Sequence, residues 1–156
     1  MTARIILCDI DFTLVDPSHR DGLVPHYSLR DDASAWVPYN RACIDDTPIW
    51  PTITLVRAMQ AQGFRLHLLT ARGDEVEAVT RLQMSNICIE PEALHMRPMD
   101  NCQSSADFKR SVIRKIGAAN IYCAFEDQCL VVQMMRSEGI QTYQVSKHIN
   151  PSIHQI

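Results

Sequence analysis

Two aspartates one residue apart follow an apolar run near the start of the chain, in the stretch ILCDIDFTL. The run at 4–8 predicts a buried strand, because a continuous apolar stretch this short is typical of a strand rather than a helix. Asp9 and Asp11 would repel each other at its end unless positive charge lies between them. A hard cation such as Mg²⁺, which prefers carboxylate oxygens, is one candidate. Alternatively, the two side chains cap backbone amides in a turn.

A second acidic pair, Glu126 and Asp127, follows another strand-like run at 120–125. If both runs are parallel strands of one sheet, their carboxyl ends lie at the same edge and the acids converge there. Clustered carboxylates of this kind favour the cation over the capping alternative for Asp9 and Asp11. The sequence therefore predicts a Mg²⁺ site.

Other segments supply groups that could hold a phosphate. In LLTAR, Thr70 and Arg72 follow a predicted strand at 64–69. A hydroxyl and loop amides before a helix can bind phosphate oxygens, and an arginine can add a bidentate contact. In ADFKR, Lys109 lies on a predicted helix and could neutralise the acids. Taken singly, a threonine at a helix start is usually a cap and a helical lysine is usually solvated.

Strands and helices alternate along the chain. Strands are predicted at 4–8, 64–69, 92–96, 120–125 and 140–145, and helices at 47–62, 74–84, 105–116 and after 127. Residues 14–46 are less regular, with one short helix near 31–43. Thr47 and Pro48 predict an N-cap and a first-turn proline. The alternation predicts an α/β fold, a mostly parallel sheet with helices on both faces.

Composition excludes several classes of protein. The chain has 156 residues, of which 46% are hydrophobic and 21% are charged, and this composition indicates one globular domain. Its net charge of −3 argues against a surface covered with basic residues for general nucleic-acid binding. No apolar stretch is long enough to span a membrane, so we expect neither membrane insertion nor secretion. The six cysteines show no metal-type spacing, which favours free thiols in a cytoplasmic protein.

The order of four features resembles the haloacid-dehalogenase (HAD) superfamily of phosphatases. These features are the motif DxDxT, a strand that ends in threonine, a lysine on a helix, and an acidic pair after another strand. The resemblance implies a Rossmann-like fold and a phospho-aspartyl mechanism. Asp9 would be the nucleophile, and Asp11 the general acid/base whose backbone carbonyl binds Mg²⁺. Thr70 and Lys109 would hold the phosphoryl group. Asp127 would be the third metal ligand, beside Asp9 and Asp11, with Glu126 in support.

A closer resemblance is to the 3′-phosphatase domain of phage polynucleotide kinase-phosphatases. It rests on Arg20 in DPSHRD, on Arg72, on HMRP at 95–98 and on AFEDQCLVVQMMRSEGIQTYQVS. It implies that Arg20 and Arg72 grip the substrate phosphate, and a solvated loop charge is the alternative for Arg20. The pattern departs from the family at Gln128, where arginine is usual. It also departs at Phe12, where glycine is usual, so the turn differs or Phe12 walls the entrance.

The predicted organisation is a HAD-like phosphatase domain over 1–146, with a small cap insert at 14–46, and a C-terminal tail over 147–156. The motif GxxxxGK[ST] is absent, so the sequence carries no P-loop kinase, and the resemblance is to the phosphatase half only. A lightly capped site favours a phosphorylated nucleic-acid 3′ end, and a nucleoside monophosphate or another small phosphomonoester is the alternative. A binding module without turnover is the third alternative.

The aromatic residues of the insert, Trp36, Tyr39 or Tyr27, could stack on a base or pack the insert onto the sheet. The oligomeric state stays open, and the compartment would be the host cytoplasm if a phage encodes the protein.

Overall fold

The computed structural model describes residues 4–30 and 32–145. Its strands are β1 (Ile5–Cys8), β2 (Val15–Asp16), β3 (Thr47–Pro48), β4 (Arg65–Gly73), β5 (Ala93–Arg97), β6 (Ile121–Glu126) and β7 (Thr142–Gln144). Its α-helices are α1 (Val37–Arg41), α2 (Trp50–Ala61), α3 (Glu77–Asn86), α4 (Ser105–Ile116) and α5 (Cys129–Ser137). Five strands form a parallel sheet in the order β5-β4-β1-β6-β7, which confirms the predicted α/β fold.

The central strand β1 is buried on both sides, which explains its unbroken apolar sequence. Its side chains alternate between two hydrophobic clusters. Ile6 and Cys8 belong to a cluster that includes residues of α2 and α3. Ile5 and Leu7 belong to the other cluster, with residues of α4 and α5. The predicted helices on both faces of the sheet are therefore confirmed.

Helix α4 has the bounds that its apolar spacing predicts. Phe108, Val112 and Ile113 lie on its buried face. The hydroxyl of Ser104 caps its first turn by accepting a hydrogen bond from the backbone N–H of Asp107 at 3.1 Å. Gly117 follows the helix with a φ of +84°, a left-handed conformation that glycine adopts without steric cost. These signals at both ends place Lys109 in the second turn.

The insert between β1 and α2 is small, as predicted. Strands β2 and β3 pair antiparallel at its base. Between them the chain makes short 3₁₀ turns on either side of α1, which has only five residues. The predicted short helix near 31–43 is thus shorter than expected, and its residue 31 lies outside the described residues. An insert of this size covers only part of the sheet edge.

Two predicted boundaries are wrong. Thr47 does not cap a helix, because it pairs with Asp16 in the β2–β3 bridge, and α2 begins at Trp50 with a proline in its first turn. Strand β4 does not end at residue 69 but continues to Gly73, with an irregular register against β5 between Leu69 and Gly73. Thr70 and Arg72 therefore lie on the strand itself and not in a loop before a helix.

The tail predicted at 147–156 lies outside the described residues, and the domain boundaries stay predictions. All six cysteines are unpaired, and three of them, Cys8, Cys43 and Cys123, are buried. Among the helices of residues 4–30 and 32–145, none combines the length and the apolar character needed to cross a bilayer.

Candidate active site

The polar residues predicted from the sequence surround a cavity of about 300 Å³ at the carboxyl edge of the sheet. The insert lines one part of this cavity and the start of α4 lines another. Asp9 and Asp11 reach it because they directly follow β1, and Lys109 reaches it from α4. Seven of the eight predicted site residues line the cavity: Asp9, Asp11, Thr70, Arg72, Lys109, Glu126 and Asp127. The eighth, Arg20, does not.

Three buried carboxylates form an acidic centre, defined as Asp9, Glu126 and Asp127. One oxygen of each lies within 4.8 Å of the others. The ammonium group of Lys109 donates to Asp9 Oδ1 at 2.8 Å and to Glu126 Oε2 at 2.7 Å. Asp127 Oδ2 is buried without a hydrogen-bond partner among the described residues. Three carboxylates against one ammonium leave this centre with excess negative charge.

The excess charge changes the acid–base behaviour of the centre. Burial raises the pKa of Asp9 to about 7, helped by repulsion from Glu126 and opposed by Lys109. Burial, followed by repulsion from Glu126 and Asp9, raises the pKa of Asp127 to about 9. At Lys109, burial alone would lower the pKa, but attraction to Asp9 and Glu126 outweighs it and raises the pKa. Asp9 and Asp127 therefore bind protons more tightly than free aspartates do when no cation is bound.

This acidic centre fits a hard divalent cation. Its donors are all carboxylate oxygens, which are the ligands that Mg²⁺ prefers. The unpartnered Oδ2 of Asp127 is a buried acceptor that a cation would satisfy. A cation would also offset the negative charge that Lys109 leaves unbalanced. The side chain of Asp11 lies outside the centre, so its predicted metal contact stays a prediction for its backbone carbonyl.

The carboxylate of Asp11 faces two buried arginines instead. Arg72 binds it in a bidentate manner, with Nε 3.0 Å from Oδ2 and Nη2 2.8 Å from Oδ1. Arg20 donates to Oδ1 from Nη2. Burial alone would raise the pKa of Asp11, but the guanidinium groups of Arg72 and Arg20 outweigh it and lower the pKa to about 2. Two neighbouring aspartates thus have opposite electrostatic environments.

The two arginines share a second carboxylate partner, the buried Asp46, which sequence reasoning missed. Its oxygens accept hydrogen bonds from Arg20 Nε and Nη2 at 2.8 Å and from Arg72 Nη2 at 3.1 Å. Gln83 supports both sides, donating to Asp46 Oδ2 at 3.1 Å and accepting from Arg72 Nη1 at 2.7 Å. The signal that could have found it is charge balance, because two buried arginines need a second carboxylate besides Asp11.

The arginines predicted to grip phosphate have other partners here. Arg20 is 1% exposed, and its three nitrogens bind Asp46, Asp11 and the carbonyl of Tyr39. The face of its guanidinium lies 4.0 Å from the ring centroid of Tyr39. Arg72 is 2% exposed and borders the cavity. Their phosphate contacts stay predictions, whereas the arrangement supports a role in holding Asp11.

Phe12, at the position where the resemblance leads us to expect glycine, has a φ of +58°, the left-handed conformation that glycine favours. The turn expected from a glycine is therefore formed by a bulky residue, at a cost of about 1–2 kcal/mol. The backbone N–H of Phe12 donates to the carbonyl of Val15 at 2.7 Å, and its side chain is buried. Phe12 is not among the residues that line the cavity. The turn at Phe12 follows Asp11 directly and returns the chain to Val15, the first residue of β2.

The insert aromatics have different exposures. Trp36 and Tyr39 both line the cavity, and their rings meet edge to face at a centroid distance of 5.5 Å. Tyr39 is buried against Arg20, which supports the packing alternative for this ring. Trp36 is half-buried, and its indole N–H donates to the carbonyl of Arg30 at 2.9 Å. Tyr27 is exposed and does not line the cavity.

Comparison with known proteins gives a family and a fold. The family model described as "Polynucleotide kinase PNKP phosphatase domain" matches residues 3–148. Among curated proteins, none matches this chain. A chain of the Pnkp1/Rnl/Hen1 complex is similar in structure, with a TM-score of 0.73 and 20% identity over 92% of this chain. This chain covers 46% of that longer one.

Two further solved structures share the fold over more of their own length. The haloacid dehalogenase-like hydrolase SP0104 from Streptococcus pneumoniae has a TM-score of 0.61 and 15% identity, and the match covers 89% of this chain and 82% of that one. The putative HAD-hydrolase YfnB from Bacillus subtilis, whose structure contains magnesium, has a TM-score of 0.62 and 14% identity, with 91% and 88% covered. At these identities the likeness establishes the fold.

Proposed function

This chain belongs to the family of polynucleotide kinase PNKP phosphatase domains, which are HAD-superfamily phosphatases, and we propose that it is a Mg²⁺-dependent phosphomonoesterase that removes 3′-phosphates from nucleic-acid ends. The observation that carries the proposed chemistry is the contrast between Asp9 and Asp11. One carboxylate lies beside Lys109 in an acidic centre that suits a cation, and the other is held by arginines. Two carboxyl groups in different environments can perform two different steps.

Asp9 is the proposed nucleophile. One of its oxygens attacks phosphorus, the bond to the ester oxygen breaks, and an aspartyl-phosphate forms. An anionic carboxylate approaching an anionic phosphate needs positive charge nearby, which Lys109 supplies from 2.8 Å. Held by Asp9, Asp127 and the backbone carbonyl of Asp11, with Glu126 in support, Mg²⁺ would supply further positive charge against this repulsion. Thr70 and Lys109 are the proposed contacts of the phosphoryl oxygens.

Asp11 is the proposed general acid and base. It gives a proton to the leaving alkoxide and later takes one from the water that hydrolyses the aspartyl-phosphate. The pKa of about 2 in the free protein suits the second step. For the first step the pKa must rise. A bound phosphate dianion would raise it, because the new negative charge repels the carboxylate and competes for the arginines.

The substrate class rests on the family and on the small insert. An insert of short turns leaves the cavity open, so a phosphate that protrudes from a large molecule can enter. A cavity of about 300 Å³ also suits a mononucleotide, which keeps a nucleotidase as the second candidate. A binding module without turnover is a weaker candidate, because the candidate nucleophile and acid/base both line the cavity.

The test is phosphate release from a matched panel with Mg²⁺ present. The panel holds a 3′-phosphorylated oligonucleotide, its 5′-phosphorylated twin, nucleoside 3′- and 5′-monophosphates and an aryl phosphate, with Asp9→Asn as the blank. We expect the 3′-phosphorylated oligonucleotide to have the highest kcat/KM. A preference for mononucleotides would establish the nucleotidase instead. If wild type and Asp9→Asn release the same phosphate from every substrate, the enzyme proposal is refuted.

A further inference from the structure

Arg97, a cation at the edge of the cavity, has no role in the chemistry proposed above. It ends strand β5, opposite Gly73 of β4, and its side chain lines the cavity. Its Nε is buried and has no hydrogen-bond partner among the described residues. Over residues 4–30 and 32–145 it forms no ion pair, and its one ring contact is with Phe108, at 5.8 Å from the ring centroid. A partly buried guanidinium without an anion is unusual, because removing charge from water costs free energy.

Arg20 and Arg72 show what Arg97 lacks. At Arg72, burial would lower the pKa, but attraction to Asp11 outweighs it and raises the pKa. At Arg97, burial lowers the pKa and no carboxylate opposes it. Arg20 and Arg72 are satisfied by Asp11 and Asp46, so they have donors already committed. Arg97 has no such carboxylate partner in the described part of the chain, so its donors are free for a ligand, whereas Arg30, which also lines the cavity, donates from Nε to the carbonyl of Pro25 at 3.2 Å.

The position of Arg97 in the sheet separates it from the reacting phosphate. Asp9 follows β1, and β5 lies two strands away with β4 between them. Neighbouring strands are about 4.8 Å apart, so the backbones at Asp9 and Arg97 are separated by roughly 10 Å. This offset suits a second anionic group of the substrate rather than another oxygen of the phosphate at Asp9. Gln103 and Ser104 line the cavity along with Arg97, so its surroundings are polar.

We propose that Arg97 binds a second phosphate of the substrate, the one on the 5′ side of the nucleotide whose 3′-phosphate lies at Asp9. The inference rests on the proposed function and deepens it. In a nucleic-acid strand the terminal nucleotide carries a phosphodiester on its 5′ side as well as the 3′-phosphate. A nucleoside 3′-monophosphate lacks that group. Arg97 would therefore make the protein favour strand ends over free mononucleotides, using the charge-assisted contact that arginine makes with phosphate.

Two small substrates isolate this contact. Thymidine 3′-monophosphate carries the reacting phosphate alone, and thymidine 3′,5′-bisphosphate adds the 5′-phosphate and nothing else. Product analysis shows which phosphate is removed, because loss of the 3′-phosphate from the bisphosphate leaves thymidine 5′-monophosphate. For wild type with Mg²⁺, we expect kcat/KM for the bisphosphate to exceed that for the monophosphate by about tenfold or more, as one charge-assisted hydrogen bond supports.

The variants are Arg97→Gln, Arg97→Lys and a control, Arg57→Gln, which removes a positive charge from an exposed position on α2. We expect Arg97→Gln to bring the ratio of the two kcat/KM values close to one, Arg97→Lys to keep part of the preference, and Arg57→Gln to keep all of it. The lysine variant retains the charge at this position, so it separates a lost contact from a misfolded protein.

The outcomes distinguish this inference from the function on which it rests. If wild type hydrolyses both thymidine phosphates equally, Arg97 binds no second phosphate although the phosphatase stands. The same conclusion follows if Arg97→Gln keeps the wild-type ratio, or if Arg57→Gln lowers the ratio as much. If wild type hydrolyses an aryl phosphate in an Asp9-dependent manner but neither thymidine 3′-phosphate, the inference fails, and the proposed 3′-end activity fails with it only if the 3′-phosphorylated oligonucleotide is not hydrolysed either.

Discussion

Replacing Asp127 with asparagine should stabilise the metal-free protein while impairing its function. Asp127 lies in a centre where three carboxylates face one ammonium, and its Oδ2 has no hydrogen-bond partner among the described residues. Asparagine has nearly the same shape, carries no charge and offers an N–H donor to the neighbouring carboxylates. The substitution therefore removes repulsion without leaving a cavity.

The size of the effect follows from the pKa of Asp127, which is raised from 3.8 to about 9. Between these values the folded protein binds a proton more tightly than the unfolded chain, so the free energy of unfolding falls as pH rises. The fall has an upper limit of about 1.4 kcal/mol per pH unit, or about 4 kcal/mol from pH 5 to pH 8. Repulsion shared with Asp9 and attraction to Lys109 reduce it. We expect Asp127→Asn to gain about 1–3 kcal/mol at pH 8 and little at pH 5.

Thermal unfolding in EDTA measures this difference directly. A gain of that size should raise the Tm at pH 8 by roughly 3–9 °C. Mg²⁺ should reverse the order, because it stabilises the protein that holds all the acidic ligands. Asp45→Asn, which removes an exposed carboxylate from the insert, is the control and should change neither curve. If Asp127→Asn is no more stable than wild type at pH 8 in EDTA, and Mg²⁺ raises both Tm values equally, the electrostatic account of this centre is wrong.

Two further substitutions test the cations of the site. Asp46→Asn should lower the free energy of unfolding by about 3–5 kcal/mol, because it leaves buried Arg20 and Arg72 with one carboxylate between them. Urea denaturation at pH 7 measures this loss of stability, and a loss of less than about 1 kcal/mol would contradict the prediction. Lys109→Met should lower kcat on an aryl phosphate by about 10²–10³-fold, because it removes the ammonium beside the candidate nucleophile. Steady-state kinetics with saturating Mg²⁺ measure that loss, and a fall of less than tenfold would exclude this role.

Much of the fold could be predicted because the local sequence patterns of its strands and helices match the positions that these segments take in the sheet. Short apolar runs predict buried strands, and in parallel strands all carboxyl ends lie at one edge. That rule alone brings Asp9 and Asp127 together, although they are more than a hundred residues apart in sequence. Helix α4 was predicted with its correct bounds from its apolar spacing, and in the structure Ser104 and Gly117 lie at its two ends. In these segments, tertiary contacts reinforce the local signal.

The parts that could not be predicted depend on tertiary contacts that oppose or lack a local signal. Thr47 and Pro48 look like a helix start, but pairing with β2 takes precedence. Asp46 precedes them in a stretch with no periodic pattern, so nothing local shows that its carboxylate is buried between two arginines. Arg20 reads as a loop charge for the same reason. A buried polar network is recognised only when all its members are in place.

The two aspartates after β1 divide the site into halves with different charge balance. Around Asp11, the two guanidinium groups of Arg20 and Arg72 balance two carboxylates, counting Asp46, so this half is complete within the protein. Around Asp9, one ammonium faces three carboxylates, so the protein's own charges do not balance this half and a bound cation would. The division separates two side chains only two positions apart in sequence, since Asp9 contacts Lys109 and Asp11 contacts Arg20 and Arg72. A cation bound beside Asp9 would therefore change the charge around the proposed nucleophile, whereas the proposed acid/base is held by the protein's own arginines.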